Sequence, residues 1–320
     1  MIQEVFIVTG GSGFIGSNLC GYLAKKYPDI LIINISKHTY AVTTKMIKFL
    51  DNIPNYKSEA VDISDIMRLY QLMKNHKVTR IYHLAAESHV DRSFTYPSDF
   101  IQSNIAGAFT LLEVTKQLKP IPRFYYMGTD EIFGSVLSGY NNEGCMPHPE
   151  NPYAATKVAA EALCMAWSAS WKIPMVIGRS MNVFGPRQNP EKLIPKIITH
   201  LINKKPYHLY KGNSLRGWSF IYDTVDAIDT IMVHGKNNEI YHIPPCGMKG
   251  VYDINEYLME WLPESKNCFE GYIGKRLKDD SRYALASDKM RFELNWKPKW
   301  TWEKGIEETI KWYRENRELF

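Results

Sequence analysis

A strand, a glycine-rich turn and a helix follow one another at the start of the chain, and this order constrains the fold more than any other feature. The β-branched run from Glu4 to Thr9 leads into the turn, and a helical pattern continues from Ser17 to Lys26. Glycines in this context let the backbone approach a pyrophosphate at the positive end of the helix; a plain tight turn is the alternative. We therefore expect a dinucleotide to contact the turn residues Gly10, Gly13, Phe14, Ile15 and Gly16.

Two residues after the second strand bear on the choice of dinucleotide. The strand from Ile30 to Ile35 should end near the adenosine ribose, where an acidic residue normally accepts the 2′-hydroxyl of NAD. Ser36 and Lys37 stand there instead, with no carboxylate. Both side chains tolerate a 2′-phosphate, so these residues alone leave NAD and NADP open.

The third and fourth strands also end in candidate contact residues. Asp62 and Ile63 follow the strand from Tyr56 to Val61 and are placed to meet the adenine, although Asp62 could instead cap the amphipathic helix from Ser64 to Asn75. After the fourth strand, Arg80 to Leu84, small residues permit close approach to a cofactor and polar residues can reach a substrate. These residues are Ala85, Ala86 and Ser88, followed by His89, which taken alone is more typical of a structural histidine.

Strands and helices keep alternating up to about residue 180. A helix from Pro97 to Gln117 precedes the strand from Arg123 to Met127, and a helix ending near Ser170 precedes a sixth strand from Met175 to Arg179. This alternation predicts an α/β fold of the Rossmann type, a doubly wound parallel sheet with its site at the carboxyl ends of the strands. We expect residues 1–180 to form this dinucleotide-binding domain. Residues 181–320 should form mainly a smaller, mixed α/β substrate-binding domain, with some segments returning to the first.

A Tyr and a Lys stand four residues apart at the start of the helix that follows the fifth strand. Asn151 and Pro152 form an N-cap with Pro at the first helical position, which places Tyr153 in the first turn and Lys157 one turn further on the same face. A Lys ammonium beside a phenol favours the phenolate and suits proton transfer. An ordinary surface pair is the alternative for an isolated pattern of this kind.

A hydroxyl and two adjacent carboxylates, Thr129, Asp130 and Glu131, end the fifth strand. Neighbouring carboxylates with opposite roles need opposite protonation states, which repulsion and burial can produce. A turn with a helix cap is the alternative reading of the pair. Because the carboxyl ends of parallel strands meet at one edge of the sheet, we expect these residues to lie beside Tyr153 and Lys157.

Composition excludes several classes of protein. Hydrophobic residues make up 45% and charged residues 23% of the 320 residues, values typical of a globular chain rather than of a disordered one. The net charge of +5 is spread evenly, so no nucleic-acid partner is expected, and no apolar stretch predicts a membrane span. The five cysteines contain no Cys-x-x-Cys pair, which argues against a zinc or other metal site and favours reduced thiols. With no targeting signal visible, we expect a cytoplasmic protein.

Three stretches make the chain resemble the extended short-chain dehydrogenase/reductases, and among them the nucleoside-diphosphate-glucose 4,6-dehydratases. The stretches are Gly128-Thr129-Asp130-Glu131, residues 85–93 and residues 182–195. The resemblance covers nearly the whole chain. It implies a nicotinamide cofactor, NAD in the usual family pattern, and a nucleotide-sugar substrate such as dTDP-glucose or UDP-glucose. It also implies the substrate-binding residues Ser88, Asn182, Arg187, Lys192, Leu193, Tyr210, Arg216, His242, Arg282 and Tyr283.

The chain departs from the family pattern at four positions. Ser36 replaces the usual ribose-binding Asp, and Gly217 replaces the usual Asp after the phosphate-binding Arg216. His242 replaces an Asn, and Ser281 replaces an Arg beside the retained Asp280, Arg282 and Tyr283. The departure at Ser36 bears on the choice between NAD and NADP, and those at Gly217 and His242 bear on recognition of the nucleotide.

The resemblance also implies a reaction and an assembly. Tyr153, aided by Lys157 and Thr129, would take the C4 hydroxyl proton while hydride leaves C4 for the nicotinamide. Glu131 would then remove the C5 proton and Asp130 would protonate the departing C6 hydroxyl, after which hydride returns to C6. A sugar-nucleotide 4-epimerase needs no carboxylate pair and is one alternative; a non-catalytic dinucleotide-binding protein is the other. Relatives pair through helices equivalent to 97–117 and 153–170 into a four-helix bundle, so a homodimer is expected.

Overall fold

The computed structural model describes residues 4–37, 47–136, 138–274 and 281–320. The described strands are β1 Glu4–Thr9, β2 Leu31–Ile35, β3 Tyr56–Glu59, β4 Lys77–His83, β5 Arg123–Thr129, β6 Met175–Ser180, β7 Asn182–Phe184, β8 Tyr207–Tyr210, β9 Arg216–Phe220, β10 Glu239–His242, β11 Gly247–Lys249 and β12 Phe269–Ile273. The described α-helices are α1 Phe14–Lys26, α2 Ile66–Lys74, α3 Val90–Thr95, α4 Pro97–Phe100, α5 Gly107–Thr115, α6 Pro152–Trp171, α7 Leu193–Ile202, α8 Ile221–His234, α9 Val251–Trp261, α10 Asp288–Leu294 and α11 Trp302–Glu315.

Within the described ranges, seven strands form one sheet in the order β10-β6-β5-β4-β1-β2-β3. Every neighbouring pair in it is parallel. The chain winds outward from β1 through β2 and β3, then returns to build β4, β5 and β6 on the other side, so the sheet is doubly wound. The predicted Rossmann-type fold is therefore confirmed, and its switch point lies between β1 and β4.

Two apolar layers cover the faces of this sheet. On one face, side chains of β5 and β6 such as Phe124 and Ile177 pack with Ala160 and Cys164 of α6 and with Leu111 of α5. On the other face, α1 and α8 cover the strands with a second set of buried aliphatic and aromatic side chains. Strands covered on both faces read as nearly continuous apolar runs, which is why the sequence predicted them well.

The helix predicted from Pro97 to Gln117 is divided in the structure. A π-helical segment, Ile101–Ala106, separates α4 from α5. It carries Asn104 inward, where the side-chain oxygen accepts from Glu87 N at 2.8 Å and the amide donates to Glu87 O at 3.0 Å and to Thr156 Oγ1 at 2.9 Å. Asn104 of this π-helical segment thus links the loop after β4 to helix α6. The hydrophobic periodicity of the sequence does not reveal this contact.

Residues after 180 build smaller sheets but also return to the large one. Strands β7, β9 and β11 form a three-stranded sheet, and β8 pairs with β12. Strand β10 pairs with β6 at the edge of the large sheet, and α8 packs against α1. Strand β6 ends at Ser180, and β10 later returns to the same sheet; the division into two domains at residue 180 stays a prediction.

Candidate active site

A cavity of about 580 Å³ opens at the carboxyl ends of β1, β4 and β5. Parallel strands end there together, so residues far apart in the chain share its walls. Most of the residues singled out from the sequence line it: Gly10, Gly13, Phe14, Ile15, Ser36, Lys37, Ile63, Ala85, Ala86, Ser88, Thr129, Asp130, Glu131, Tyr153, Lys157, Asn182, Arg187, Lys192, Leu193, Tyr210 and Arg216.

Gly16 lies beneath the glycine turn rather than on the cavity wall. A Cβ at this position would stand 2.1 Å from the carbonyl oxygen of Gly10, which is backbone and cannot move aside. The absence of a side chain lets α1 start directly behind the turn, so the positive end of the helix faces the cavity. Gly16 therefore shapes the dinucleotide site without lining it.

The ribose end of the cavity contains Ser36 and Lys37. The Lys37 ammonium lies 3.5 Å from Asp62 Oδ2, and the other carboxylate oxygen of Asp62 accepts from the backbone and hydroxyl of Ser64, both at 2.9 Å. Asp62 does not line the cavity, whereas Ile63 does. Asp62 thus closes the turn before α2, whereas the cap of that helix is Asp65, which accepts from Arg68 N.

Thr129 and the carboxylates meet in a short 3-10 turn, Asp130–Phe133, directly after β5. The Thr129 hydroxyl lies 3.3 Å from Asp130 Oδ1 and accepts from Glu131 N, while Asn151 donates to Glu131 Oε2 at 3.4 Å. Asp130 is only 2% exposed. Burial, with the neighbouring Glu131 charge, raises the pKa of Asp130 to about 8, so Asp130 holds a proton at neutral pH.

The contact with Thr129 uses only one carboxyl oxygen of Asp130, which leaves the second one for a bound molecule. The Oδ2 atom of Asp130 is buried and has no hydrogen-bond partner among the residues that the structure describes. A buried oxygen of this kind is costly unless it is protonated or meets a ligand. The arrangement suits a carboxylic acid that donates its proton to a bound molecule.

Tyr153 and Lys157 face the same cavity from α6. The side chain of Asn151 caps this helix by accepting from Ala154 N at 2.8 Å, as the sequence predicted. Burial, together with the Glu131 charge, raises the pKa of Tyr153, and a hydrogen bond with Thr129 acts in the opposite direction. In this structure the burial and the Glu131 charge thus favour the protonated phenol.

Lys157 is the cation that the helix places one turn from Tyr153. Its ammonium donates to Met127 O at 2.6 Å and lies 4.4 Å from the centre of the Tyr126 ring. Burial lowers the pKa of Lys157 to about 8, so it remains mostly charged at neutral pH. The charge stands at the end of β5, between the helix and the strand that bear the other candidate catalytic groups.

Three predicted substrate residues lie away from the cavity wall. Tyr283 packs 4.3 Å from the Arg216 guanidinium, and Arg282 donates to Gly139 O at 2.8 Å. His242 is fully buried, with Nδ1 2.8 Å from Ala286 O. Asp280 lies outside the described residues. Tyr283 thus supports Arg216 from behind, and His242 belongs to a separate buried cluster.

Arg187 lines the cavity but is held by protein groups. Its Nε donates to Asn18 Oδ1 at 3.2 Å, and its guanidinium lies 4.4 Å from the centre of the Phe49 ring. Asn18 also donates to Pro186 O at 3.3 Å, so Arg187 and Asn18 fasten the segment after β7 to α1. The family pattern alone does not reveal this link.

Some lining residues were not singled out from the sequence. They include Ser180, Met181, Gln188, Lys196 and Trp218. Lys196 stands one turn after Lys192 on α7, and Trp218 stands two residues after Arg216 on β9, so helical and strand periodicity could have indicated both. Ser180 and Met181 carry no such signal, because only the end point of β6 places them there.

Over the ranges that the structure describes, no group of three or more His, Cys, Asp or Glu side chains is arranged to hold a metal ion. In that same part of the chain, no helix is both long and apolar enough to cross a membrane.

A Rossmann-type sheet with a Tyr-x-x-x-Lys pair and a cofactor-sized cleft defines the short-chain dehydrogenase/reductase class. Residues 7–309 match the family model described as GDP-mannose 4,6 dehydratase. The chain belongs to this family, and the resemblance inferred from its motifs is confirmed.

Curated relatives and solved structures that are similar to the chain include dTDP-glucose 4,6-dehydratases. The chain is 37% identical to a dTDP-glucose 4,6-dehydratase of Haemophilus influenzae over 96% of this chain and 97% of the relative. It is 36% identical to a human dTDP-D-glucose 4,6-dehydratase over 97% of this chain and 90% of the relative. The structure of a dTDP-glucose 4,6-dehydratase of Bacillus anthracis in complex with NAD is 33% identical and superposes with a TM-score of 0.91, covering 99% of this chain and 98% of that one.

Proposed function

We propose that the protein is a hydro-lyase that converts dTDP-glucose or UDP-glucose to the 4-keto-6-deoxyglucose nucleotide and water. One observation carries the proposal: a protonated, buried Asp130 and the adjacent Glu131 share a cavity with Tyr153 and Lys157. The Tyr-Lys pair serves oxidation at C4, and the carboxylate pair serves removal of water across C5 and C6. A 4-epimerase needs the Tyr-Lys pair but not the carboxylate pair.

The dinucleotide would lie against the glycine turn and the carboxyl ends of β1 and β4. A dinucleotide bound there would supply a hydride acceptor for C4 and a hydride donor for C6 within one turnover, so no oxidant would be consumed overall. Gly10, Gly13 and the start of α1 would hold its pyrophosphate. Ser36 and Lys37 line the ribose end.

Tyr153 and Lys157 would remove the proton of the C4 hydroxyl. The phenol is hydrogen-bonded with Thr129, and its raised pKa makes the phenolate a strong base once formed. The charged Lys157, one turn along α6, supplies the nearby positive charge that favours phenolate. Thr129 orients the phenol toward the sugar.

Glu131 and Asp130 would then carry out the elimination. A C4 ketone acidifies the C5 hydrogen, which Glu131 removes as a base, while Asp130 protonates the leaving C6 hydroxyl to release water. Asp130 is suited to the acid role because it is buried and protonated at neutral pH. Glu131 is more exposed than Asp130, which suits the base role.

A direct test is to incubate the purified protein with dTDP-glucose and, separately, with UDP-glucose, without added cofactor. Mass spectrometry should show a product lighter than the substrate by one water in at least one incubation. A product of unchanged mass with inverted C4 would instead support an epimerase. Protein that turns over neither substrate even after NAD is supplied would contradict the proposal.

Variants of the carboxylate pair test the assigned roles. Glu131→Gln and Asp130→Asn should still oxidise C4 but not release water, so reduced cofactor should accumulate on the enzyme and absorb near 340 nm. In deuterium oxide, the wild-type product should carry deuterium at C5, because the proton on Glu131 exchanges before it is returned. Unchanged turnover by Glu131→Gln would remove that residue from the mechanism.

We also propose a homodimer formed through α5 and α6. Ile101, Phe109 and Trp171 are 54%, 42% and 42% exposed. The outer face of α6 adds exposed alanines at positions 155, 162 and 166. Small and apolar residues on two adjacent helices suit close helix packing in a four-helix bundle.

The free thiols of all five cysteines are consistent with a reducing, cytoplasmic location.

A further inference from the structure

Three neighbouring strands bring Gly128, Arg179 and His242 into one row at the carboxyl edge of the sheet. Gly128 of β5 is in register with Arg179 of β6, and Arg179 is in register with His242 of β10. Residues in register project to the same face, which here is the face covered by α6. A Cβ on Gly128 would lie 2.8 Å from Arg179 Cγ, so the glycine leaves the space through which the arginine passes.

On one side, Arg179 holds helix α6. Its Nε donates to Glu161 Oε2 at 3.1 Å, and its Nη2 donates to Glu161 Oε1. Arg179 is 2% exposed and Glu161 8% exposed, so solvent does not loosen the pair. A two-point contact fixes orientation as well as position. Glu161 stands one turn after Lys157 and two turns after Tyr153, on the same face of the helix.

On the other side, Arg179 holds the turn that bears the carboxylates. Its guanidinium lies 5.1 Å from the centre of the Phe133 ring, and Phe133 is the last residue of the Asp130–Phe133 turn. The His242 ring meets Phe133 edge-on, with 6.0 Å between the ring centres. The phenyl ring is therefore held between a cation and an aromatic edge.

Hydrogen bonds within this cluster fix the tautomer of the His242 ring. Nδ1 lies 2.8 Å from Ala286 O and so carries the hydrogen, which leaves Nε2 to accept from Arg179 Nη1 at 3.3 Å. Burial, with the Arg179 charge, lowers the pKa of His242 to about 3, so the ring stays neutral. Arg179 Nη1 also donates to Glu143 O at 3.2 Å, and the Glu143 carboxylate accepts from His242 N at 3.1 Å.

We propose that Arg179 is a positioning residue that keeps the helix bearing Tyr153 and Lys157 in a fixed relation to the turn bearing Asp130 and Glu131. Arg179, Glu161, Phe133 and His242 do not line the cavity, so the cluster acts only through the residues that do. The inference rests on the proposed function, because the two halves must act in turn on one sugar. Misplacing a reacting group by about 1 Å can cost on the order of 10²-fold in rate.

The test separates the two reaction steps in single-turnover experiments. C4 oxidation is followed by absorbance of the reduced cofactor near 340 nm, and water loss by rapid quenching and mass spectrometry. Phe133→Leu should slow water loss by at least about tenfold and leave C4 oxidation within about threefold of wild type, because only the turn is released. Glu161→Gln should do the reverse and slow C4 oxidation. Arg179→Lys keeps the charge but loses the two-point contact, and should slow both steps.

Arg80→Lys, on the central strand β4 and on the face of the sheet covered by α1 and α8, provides a matched control. Arg80 pairs with the buried Asp229 at 3.5 Å and does not line the cavity, so its replacement should lower thermal stability but leave both single-turnover rates within about threefold. If the Phe133, Glu161 and Arg179 variants behave like this control, well below their melting temperatures, the cluster is merely structural and the inference is overturned. If Arg179→Lys does not fold, the other two variants decide.

Tyr153→Phe and Glu131→Gln, measured in parallel, distinguish failure of this inference from failure of the assigned roles. One outcome is that Tyr153→Phe leaves C4 oxidation intact and Glu131→Gln leaves water loss intact, while the cluster variants still slow catalysis by at least about tenfold. In that case the roles assigned to Tyr153 and Glu131 are wrong and the positioning inference is retained. If Tyr153→Phe and Glu131→Gln do block their steps and the cluster variants remain like wild type, the roles stand and the positioning inference falls.

Discussion

Asp130 must hold a proton in order to give one to the departing C6 hydroxyl, so water loss should slow as the pH rises through the pKa of this carboxyl. Burial and the adjacent Glu131 raise that pKa from its ordinary value of 3.8 to about 8. The fold thus keeps the acid protonated under the conditions in which Glu131 must be ionised. The perturbation is simply the pH, varied from 6 to about 10.

The size of the effect follows from the shift. At pH 7, a carboxyl with a pKa of about 8 is roughly nine-tenths protonated, whereas one with the reference value of about 3.9 is protonated in roughly one molecule in a thousand. Lys157 also has a pKa of about 8 and loses its charge over the same range. Above pH 8, water loss should therefore fall by about a hundredfold per pH unit, because it follows C4 oxidation and so needs the Lys157 proton as well as the Asp130 proton. C4 oxidation should fall by about tenfold per pH unit, because it needs only the Lys157 proton.

Single-turnover rates measured across this range provide the assay. Water loss is measured in the wild type, and C4 oxidation is measured in Asp130→Asn, which lacks the titrating acid but retains Tyr153 and Lys157. If wild-type water loss shows no decline between pH 7 and 9, Asp130 is not the acid. If the two steps decline with the same slope, only one proton matters and the assignment of Asp130 is wrong.

Three other predictions test separate parts of the molecule. Tyr153→Phe should lower turnover by roughly 10²–10⁴-fold, as for a lost acid-base group, and steady-state kinetics on folded protein will check this. Gly16→Ala should lose bound NAD and at least about 2 kcal/mol of stability in urea unfolding, because its Cβ meets backbone. Gly21→Ala is the matched control on the same helix, since its nearest contact is the Phe49 ring at 3.0 Å, a side chain that can shift. Phe109→Arg should convert the proposed dimer to monomer in light scattering, and an unchanged mass would place the interface elsewhere.

Local features of the sequence predicted the framework of the fold and most of the cavity wall. The glycine turn, the apolar strands and the N-cap at Asn151 each depend on residues adjacent in the chain, so their structure could be inferred without knowing what packs against them. Parallel topology then brings the ends of β1, β4 and β5 together. This is why Thr129, Asp130, Glu131, Tyr153 and Lys157 line one cavity, as the sequence predicts.

Tertiary structure decided the positions of residues whose partners are distant in the chain. His242 was expected at the substrate, but the register of β10 with β6 places it beside Arg179, where Glu143 and Ala286 complete its hydrogen bonds. Arg187 lines the cavity, and tertiary packing also brings its guanidinium against Asn18 and Phe49, partners that are distant in the chain. The π-helical segment that turns Asn104 inward could not be read from periodicity either. Buried polar groups must find partners, and which partners are within reach is set by strand register and helix packing rather than by neighbouring residues.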